Sequence, residues 1–218
     1  MPSNSVLRWL DGSGWLLLAG GEDSDEIHAL ALGRLAADGG VAYVMLGQAD
    51  LPAAEQMLAD LEDLGAPPGY LVDVLTEDDD TIQQRLGEAG MIVMGSSGSP
   101  EVMRSALLGA AAAGIQEAYV NGAVILAQGT SAALFGTWLF LDNEALASGL
   151  EWLESALVLP GVTSVADNAQ SKALLATQPG GIAIGVGVES ALALGPAGEV
   201  ETWGRREVTI ALGQDYST

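Results

Sequence analysis

The stretch AVILAQGTSAA, residues Ala123–Ala133, decides the fold of this 218-residue chain. Its apolar first half predicts a buried β-strand, and the Gly-Thr-Ser-Ala-Ala segment leads directly into a helical pattern. A sharp strand-to-helix turn needs small residues, here Gly129 and Ala133, so that the strand and the helix can approach each other. The pattern predicts a nucleophile elbow, with the hydroxyl of Ser131 exposed at the end of the strand beside a helix N-terminus. Ser131 is therefore the candidate catalytic nucleophile.

Short apolar runs alternate with helical patterns before this stretch. The predicted strands are Trp15–Ala19, 41–46, 70–75 and Met91–Met94, and helices are predicted to begin near residues 22, 52, 79 and 100. Continuous apolar strands that are each followed by a helix indicate a mostly parallel sheet covered on both faces. After residue 161 the pattern changes to short runs separated by glycine, at Ile182–Val186, Ser190–Leu194, 200–203 and Val208–Leu212. We predict one three-layer α/β domain over residues 1–218, with mixed strands at its C-terminal edge.

The composition excludes several classes of function. The chain has 29 acidic and 7 basic residues, a net charge of −22, and no cysteine. Such a surface repels phosphate backbones and anionic lipid, so we expect no nucleic-acid and no membrane partner. The absence of cysteine excludes disulfides, thiolate metal sites and a cysteine nucleophile. We see neither a signal-peptide pattern nor a membrane span, and the cytoplasm is the default location.

Ligands in such sheets bind outside the carboxyl ends of the strands. The loops expected there are residues 20–23, residues 95–98 and the elbow itself. Glu22 and Asp23 would either bind a cationic group of a substrate or only cap the helix that follows. No Rossmann or P-loop pattern is present, and the acidic run 76–80 lacks the glycine and the terminal glutamate of a calcium loop. We expect no metal and no cofactor.

Four stretches resemble the peptidase E and cyanophycinase family of serine peptidases. They are Gly20–Asp23, Met94–Ser97, Gly129–Ala133, and the C-terminal pair Leu159–Val162 and Gly185–Leu192. The resemblance extends from about Trp15 to Leu212. It implies a flavodoxin-like fold of the class I glutamine amidotransferase type, and a catalytic serine at Ser131. It also implies an oxyanion hole built from backbone N–H groups, for which the candidates are Gly95, Ser96 and Ala132.

The departures from the family pattern fall on the catalytic residues. The family has an Asp-x-His motif shortly after Leu-Pro-Gly-Val, whereas this chain has the segment 163–168 without histidine. The family's two acidic positions correspond to Gly187 and Val188. Glu189 is displaced by one residue, which on a strand would place it on the opposite face. The resemblance therefore predicts a serine without its usual base and acid.

Three side chains are candidates for a replacement base. His28 is the only histidine, and it lies on the helix that follows the first glycine loop. Lys172 would serve if it were buried and deprotonated, while Asp167 lies nearest the missing histidine but is a poor base for a hydroxyl. Each also has an ordinary structural role, as a helix residue for His28 and Lys172 and as a turn or cap residue for Asp167. With Ser131 and the oxyanion candidates, the candidate pocket comprises Glu22, Asp23, Ser97, Asp167, Lys172 and Glu189.

Two functions remain open from the sequence. The first is a peptidase E-like protein with weak or no activity that binds a peptide or another small ligand, or has a structural role. The second is a working serine hydrolase on Asp-containing or Asp-Arg peptides that uses a non-standard base. A homo-oligomer is a further expectation, with the aromatic residues Trp138, Phe140 and Trp152 either in a surface patch or in the core.

Overall fold

A computed structural model describes residues 6–22, 24–35 and 39–216, and within them the chain forms two β-sheets flanked by helices. The larger sheet has seven strands. In chain order these are β1 Trp15–Ala19, β2 Val41–Met45, β3 Gly69–Asp73, β4 Met91–Met94, β5 Val124–Gln128, β10 Ser190–Leu194 and β11 Val200–Gly204. Their spatial order is β11-β10-β1-β5-β4-β2-β3. The first five strands in sequence are parallel, and β10 and β11 add an antiparallel edge.

The smaller sheet has five strands. They are β6 Gly136–Phe140, β7 Leu146–Ser148, β8 Leu153–Pro160, β9 Ile182–Val186 and β12 Val208–Leu212. The order is β12-β9-β8-β6-β7, with a parallel centre and an antiparallel strand at each edge. The two sheets are joined through a common apolar core, in which Phe135 and Trp152 pack edge to face with ring centroids 4.9 Å apart.

Seven α-helices connect the strands of the described chain. They are α1 Asp25–Leu32, α2 Leu51–Asp63, α3 Asp79–Gly87, α4 Pro100–Leu107, α5 Ala110–Val120, α6 Thr130–Ala133 and α7 Ala169–Thr177. Four of them begin at a residue whose side chain accepts a backbone N–H of the first turn, and these caps are Ser24, Asp78, Ser99 and Asn168. None of the described helices is long and apolar enough to cross a bilayer.

The α/β class and the mixed C-terminal edge predicted from the sequence are confirmed. The prediction of a single sheet was incomplete, because β6, β8 and β9 form a second parallel group. The helix expected after Ser131 is only the four-residue α6, and the chain enters β6 at Gly136. Trp152 is buried in the core, whereas Trp138 and Phe140 are half-buried against a small cluster on the second sheet.

Candidate active site

The strained position of the turn after β5 is Gly129. This glycine directly follows the last strand residue, Gln128, and has φ 54° and ψ −125°. A positive φ at a strand-to-helix turn is the strained backbone that presents a nucleophile in an elbow. The residue that the geometry presents at the tip of the turn is therefore a glycine, two positions before Ser131.

Ser131 lies inside the protein, and the expectation that its hydroxyl is exposed was wrong. The residue has no exposed surface. Its Oγ accepts the backbone N–H of Gln128 at 2.8 Å and lies 2.7 Å from the carbonyl oxygen of Met94 and 3.0 Å from that of Gln128. A hydroxyl carries one proton, which it can donate to one of these carbonyls at a time. Ser131 thus links the ends of β4 and β5.

The side chain of Ser96 occupies the space in front of Gly129. A Cβ built on Gly129 would lie closer than 3.0 Å to both side-chain heavy atoms of Ser96. The Oγ of Ser96 accepts the backbone N–H of Thr130 at 3.0 Å and lies 3.1 Å from the Thr130 hydroxyl. In an elbow, the N–H of the residue after the nucleophile helps to form the oxyanion hole. Here that N–H already has a partner within the chain.

The three backbone groups that the sequence predicted for an oxyanion hole are also occupied. The N–H of Ser96 donates to the carboxylate of Glu22, and the N–H of Ala132 donates to the carbonyl of Gly129 at 3.0 Å. The backbone of Gly95 is hydrogen-bonded to the hydroxyl of Tyr43. Side-chain and backbone groups of the protein itself therefore satisfy the groups that would stabilise a reaction intermediate.

Glu22 lies at the centre of this arrangement, and Asp23 falls outside the described residues. A Cβ on Gly95 would lie closer than 3.0 Å to both the Tyr43 hydroxyl and the Glu22 carboxylate, so Gly95 must remain glycine. The side chain of Ser97 is hydrogen-bonded to the hydroxyl of the same tyrosine. The structure thus brings Glu22, Gly95, Ser96 and Ser97 together as expected from their loops, with Tyr43 as an unexpected member.

His28 is close to the site, but none of the hydrogen bonds that Ser131 makes in the described structure involves His28. The imidazole is 3% exposed, and its Nε2 lies 2.9 Å from the side-chain nitrogen of Gln128. The same Gln128 nitrogen donates to the carbonyl of Glu22 at 3.3 Å. His28 therefore anchors the first loop to the end of β5.

The other candidate pocket residues lie on the surface. Lys172 and Asp167 form a solvent-exposed ion pair of 3.9 Å, which leaves the lysine far from the buried, desolvated state that a Ser–Lys base requires. Glu189 lies in the turn between β9 and β10 and pairs with Arg205. None of the side chains in these two ion pairs takes part in the hydrogen bonds of Ser131.

The positions that correspond to the family's acidic residues carry no carboxylate. A Cβ on Gly187 would lie closer than 3.0 Å to the side chain of Glu207, and Val188 is 56% exposed. The first glycine loop packs against the same turn, since a Cβ on Gly20 would lie closer than 3.0 Å to the carbonyl oxygens of Val186 and Gly187.

Tyr43 gives the site an alkaline titration that can be measured. Burial raises its pKa to about 12, helped by the negative charges of Glu22 and Asp50, and burial also raises the pKa of Tyr119 to about 12. An unfolded tyrosine loses its proton near pH 10, so between pH 10 and 12 the unfolded state binds fewer protons than the folded state. We predict that stability falls over this window by up to about 1.4 kcal/mol per pH unit for each tyrosine.

Urea unfolding at a series of pH values, followed by circular dichroism, measures this slope. The variant Tyr43→Phe should show a shallower loss of stability than the wild type above pH 10, because it lacks one of the tyrosines whose pKa burial raises. An unchanged slope in this variant would contradict the assignment to Tyr43.

No metal site is formed among the residues that the structure describes, since no three His, Asp or Glu side chains are grouped to hold an ion. The sequence reasoning missed Tyr43, Gln128, Gly129 and Thr130. The first two are polar residues within otherwise apolar strands, and that was the available signal. The position of Gly129 depends on where β5 ends, one residue later than the apolar run suggests.

The chain has the fold that the sequence resemblance predicted, and solved structures of a peptidase and of a Peptidase E-like protein share it. Among solved structures, the chain is similar to a peptidase from an acI-B1 Actinobacterium, with a TM-score of 0.73 and 16% identity over 93% of this chain and 96% of that one. It is also similar to a protein from Listeria monocytogenes EGD-e assigned provisionally as Peptidase E, with a TM-score of 0.66 and 15% identity over 88% and 98% of the two chains. No model of a known family and no curated protein matches the sequence.

Proposed function

We propose that this chain is a non-hydrolytic protein with a peptidase E-like fold, which acts as a binding or structural module. The observation that carries the proposal is the conformation of the turn after β5. Gly129, which has no nucleophilic side chain, holds the strained position, and Ser131 is fully buried with its hydroxyl bonded to backbone groups.

The arrangement of the neighbouring loops supports the same conclusion. The Ser96 hydroxyl and the Glu22 carboxylate bond the N–H groups that a reacting carbonyl oxygen would need. The hydrogen bonds of Ser131 go to Met94 and Gln128, and none reaches the only histidine. A serine without a general base loses a contribution of roughly 100- to 10,000-fold in rate.

The half-buried side chains of Glu22, Ser97 and Thr130 form the accessible part of this site. They offer a carboxylate and two hydroxyls at the carboxyl ends of the strands, which is where ligands bind in such sheets. A peptide or another small ligand that donates hydrogen bonds is the partner that this surface suits. We expect such a ligand to be bound and released unchanged.

A fluorophosphonate probe tests the proposal, with the native protein, the variant Ser131→Ala and an active serine peptidase compared in parallel. We expect the native protein to be labelled no more than the variant. Stoichiometric labelling that maps to Ser131 and disappears in Ser131→Ala would overturn the proposal in favour of a working hydrolase. Stoichiometric labelling of any other serine would overturn it equally.

The same variant has an expected effect on stability. Removing the Ser131 hydroxyl leaves the Gln128 N–H and the Met94 carbonyl without this partner inside the protein, which costs about 1–3 kcal/mol. Urea unfolding measures the change. The more exposed Ser97→Ala is the matched control, and it should change stability less.

A further inference from the structure

The strand β12 lies at one edge of the smaller sheet and leaves its outer side without a partner strand. Its residues are Val-Thr-Ile-Ala-Leu, with no charge, no proline and no glycine. The other three edge strands of the described chain carry features that discourage pairing. β11 contains Glu201, β3 contains a glycine and Asp73, and β7 has only three residues.

The free hydrogen-bonding groups of β12 can be assigned by alternation. The carbonyl of Glu207 accepts from Gly187, and the N–H of Gly213 donates to Gly181, so the odd-numbered residues are bonded toward β9. In an antiparallel ladder the intervening residues then point their N–H and C=O groups away from that neighbour. The backbone groups of Ile210 and Leu212 are therefore directed outward, and the two side chains are 49% and 44% exposed.

We propose that β12 pairs with β12 of a second copy of this chain, in antiparallel orientation, to form a dimer with one continuous sheet. A two-fold axis at Ile210 makes the two Ile210 residues a reciprocally bonded pair, and it sets Val208 opposite Leu212 of the partner subunit. Such an interface is self-complementary, which is the requirement for closed two-fold symmetry. The pairing would cover both the free backbone groups and the exposed apolar side chains.

The charges at the two ends of β12 favour this antiparallel pairing. Arg205, Arg206 and Glu207 precede the strand, and Asp215 follows it. All four residues are exposed. Arg205 pairs with Glu189, and Arg206 forms no ion pair in the part of the chain that the structure describes. The two-fold axis brings the basic end of each copy beside the acidic end of the other.

The net charge makes an uncharged contact strand significant. Two copies that each carry a net charge of −22 repel one another over most of their surfaces. β12 has no charged side chain, and two of the seven basic residues of the chain, Arg205 and Arg206, lie just before it and are separated from it only by Glu207. An extended peptide from another protein would use the same backbone groups, but it would need its own acidic residue to meet the two arginines, whereas a second copy supplies Asp215.

Light scattering coupled to size-exclusion chromatography, from micromolar to millimolar protein, tests the proposal. We expect the wild type to be a dimer and Ile210→Lys to be a monomer that retains its circular dichroism spectrum, because Ile210 is half-exposed. Leu212→Lys is the second variant on the same strand, for use if Ile210→Lys fails to fold. Val200→Lys, which replaces a 51% exposed residue on the edge strand β11, is the matched control and should remain dimeric.

A charge exchange tests the orientation. Arg205→Asp and Asp215→Arg should each weaken the dimer by about tenfold, because the two-fold axis at Ile210 sets these residues opposite each other and each pair occurs twice, and the double variant should recover most of the loss. A wild type that is monomeric at all concentrations would overturn the proposal. This also holds if the monomer binds a peptide of another protein at β12. A dimer that survives Ile210→Lys and Leu212→Lys, or that dissociates with Val200→Lys, would also overturn it.

Discussion

The substitution Gly20→Ala should destabilise the protein by more than about 3 kcal/mol, or prevent it from accumulating in folded form. Gly20 follows β1, and its N–H donates to the carbonyl of Ser190 at 3.0 Å. An added Cβ would lie closer than 3.0 Å to the carbonyl oxygens of Val186 and Gly187. Both obstacles are backbone atoms of the turn between β9 and β10, which cannot rotate away as a side chain can. Urea unfolding and the yield of soluble protein measure the effect.

Gly180→Ala is the matched control for this substitution. Its Cβ would have a single neighbour, the carboxylate of Asp215, at an ordinary distance of 3.6 Å. We expect a change within about 1 kcal/mol, since replacing glycine where the backbone permits it restricts mainly the unfolded chain. Equal stability of the two variants would show that the first glycine loop does not pack against the β9–β10 turn.

The second large effect is expected from Gly129→Ser, which puts a serine at the strained turn position. The new side chain must adopt φ near 54° and would lie closer than 3.0 Å to the side chain of Ser96. We expect a loss of about 2–4 kcal/mol, from backbone strain together with overpacking. The double variant Gly129→Ser with Ser96→Gly removes the steric part, and it should recover at least half of the loss.

A double-mutant cycle with Ser96→Gly alone separates these contributions. The single variant removes the hydroxyl that accepts the Thr130 N–H, and by itself should cost about 1 kcal/mol. Additive effects of the two substitutions would mean that Ser96 does not fill the space in front of Gly129. A loss of stability in the double variant that is smaller than the sum of the two single losses would show that the side chains at positions 96 and 129 compete for the same volume.

The strands that the sequence predicted best are those with continuous apolar runs. β1, β4, β9, β10 and β12 have the predicted bounds, and in the first four burial on both faces leaves an unbroken hydrophobic signal. The helix α5 was missed because it is alanine-rich, has no side-chain cap and has glycine at its N-cap, so neither periodicity nor a start signal marks it. β8 was missed because its first half alternates with exposed residues and its second half is apolar, which mixes two patterns.

The sequence predicted which loops meet at the candidate site, but it did not predict the burial of Ser131. The segment Gly-Thr-Ser-Ala-Ala matches the elbow motif, but the position of the turn is set by the residue that directly follows the strand. β5 continues through the polar Gln128, so the turn falls on Gly129 and carries Ser131 into the interior. The sequence pattern ended the strand at the last apolar residue, and the burial of Gln128 by tertiary packing extends it by one residue.

The bonds from Glu22 to Ser96 and from Ser96 to Thr130 also bear on how this end of the protein moves. Loops at the ligand-binding edge of a sheet usually belong to the least stable part of a fold and must become ordered when they bind. Here three separate segments are joined before any partner arrives, through groups that a hydrolase would leave free for its substrate. Recognition on this surface therefore incurs little entropy of ordering, and the site is suited to fast, rigid docking rather than to closure around a substrate.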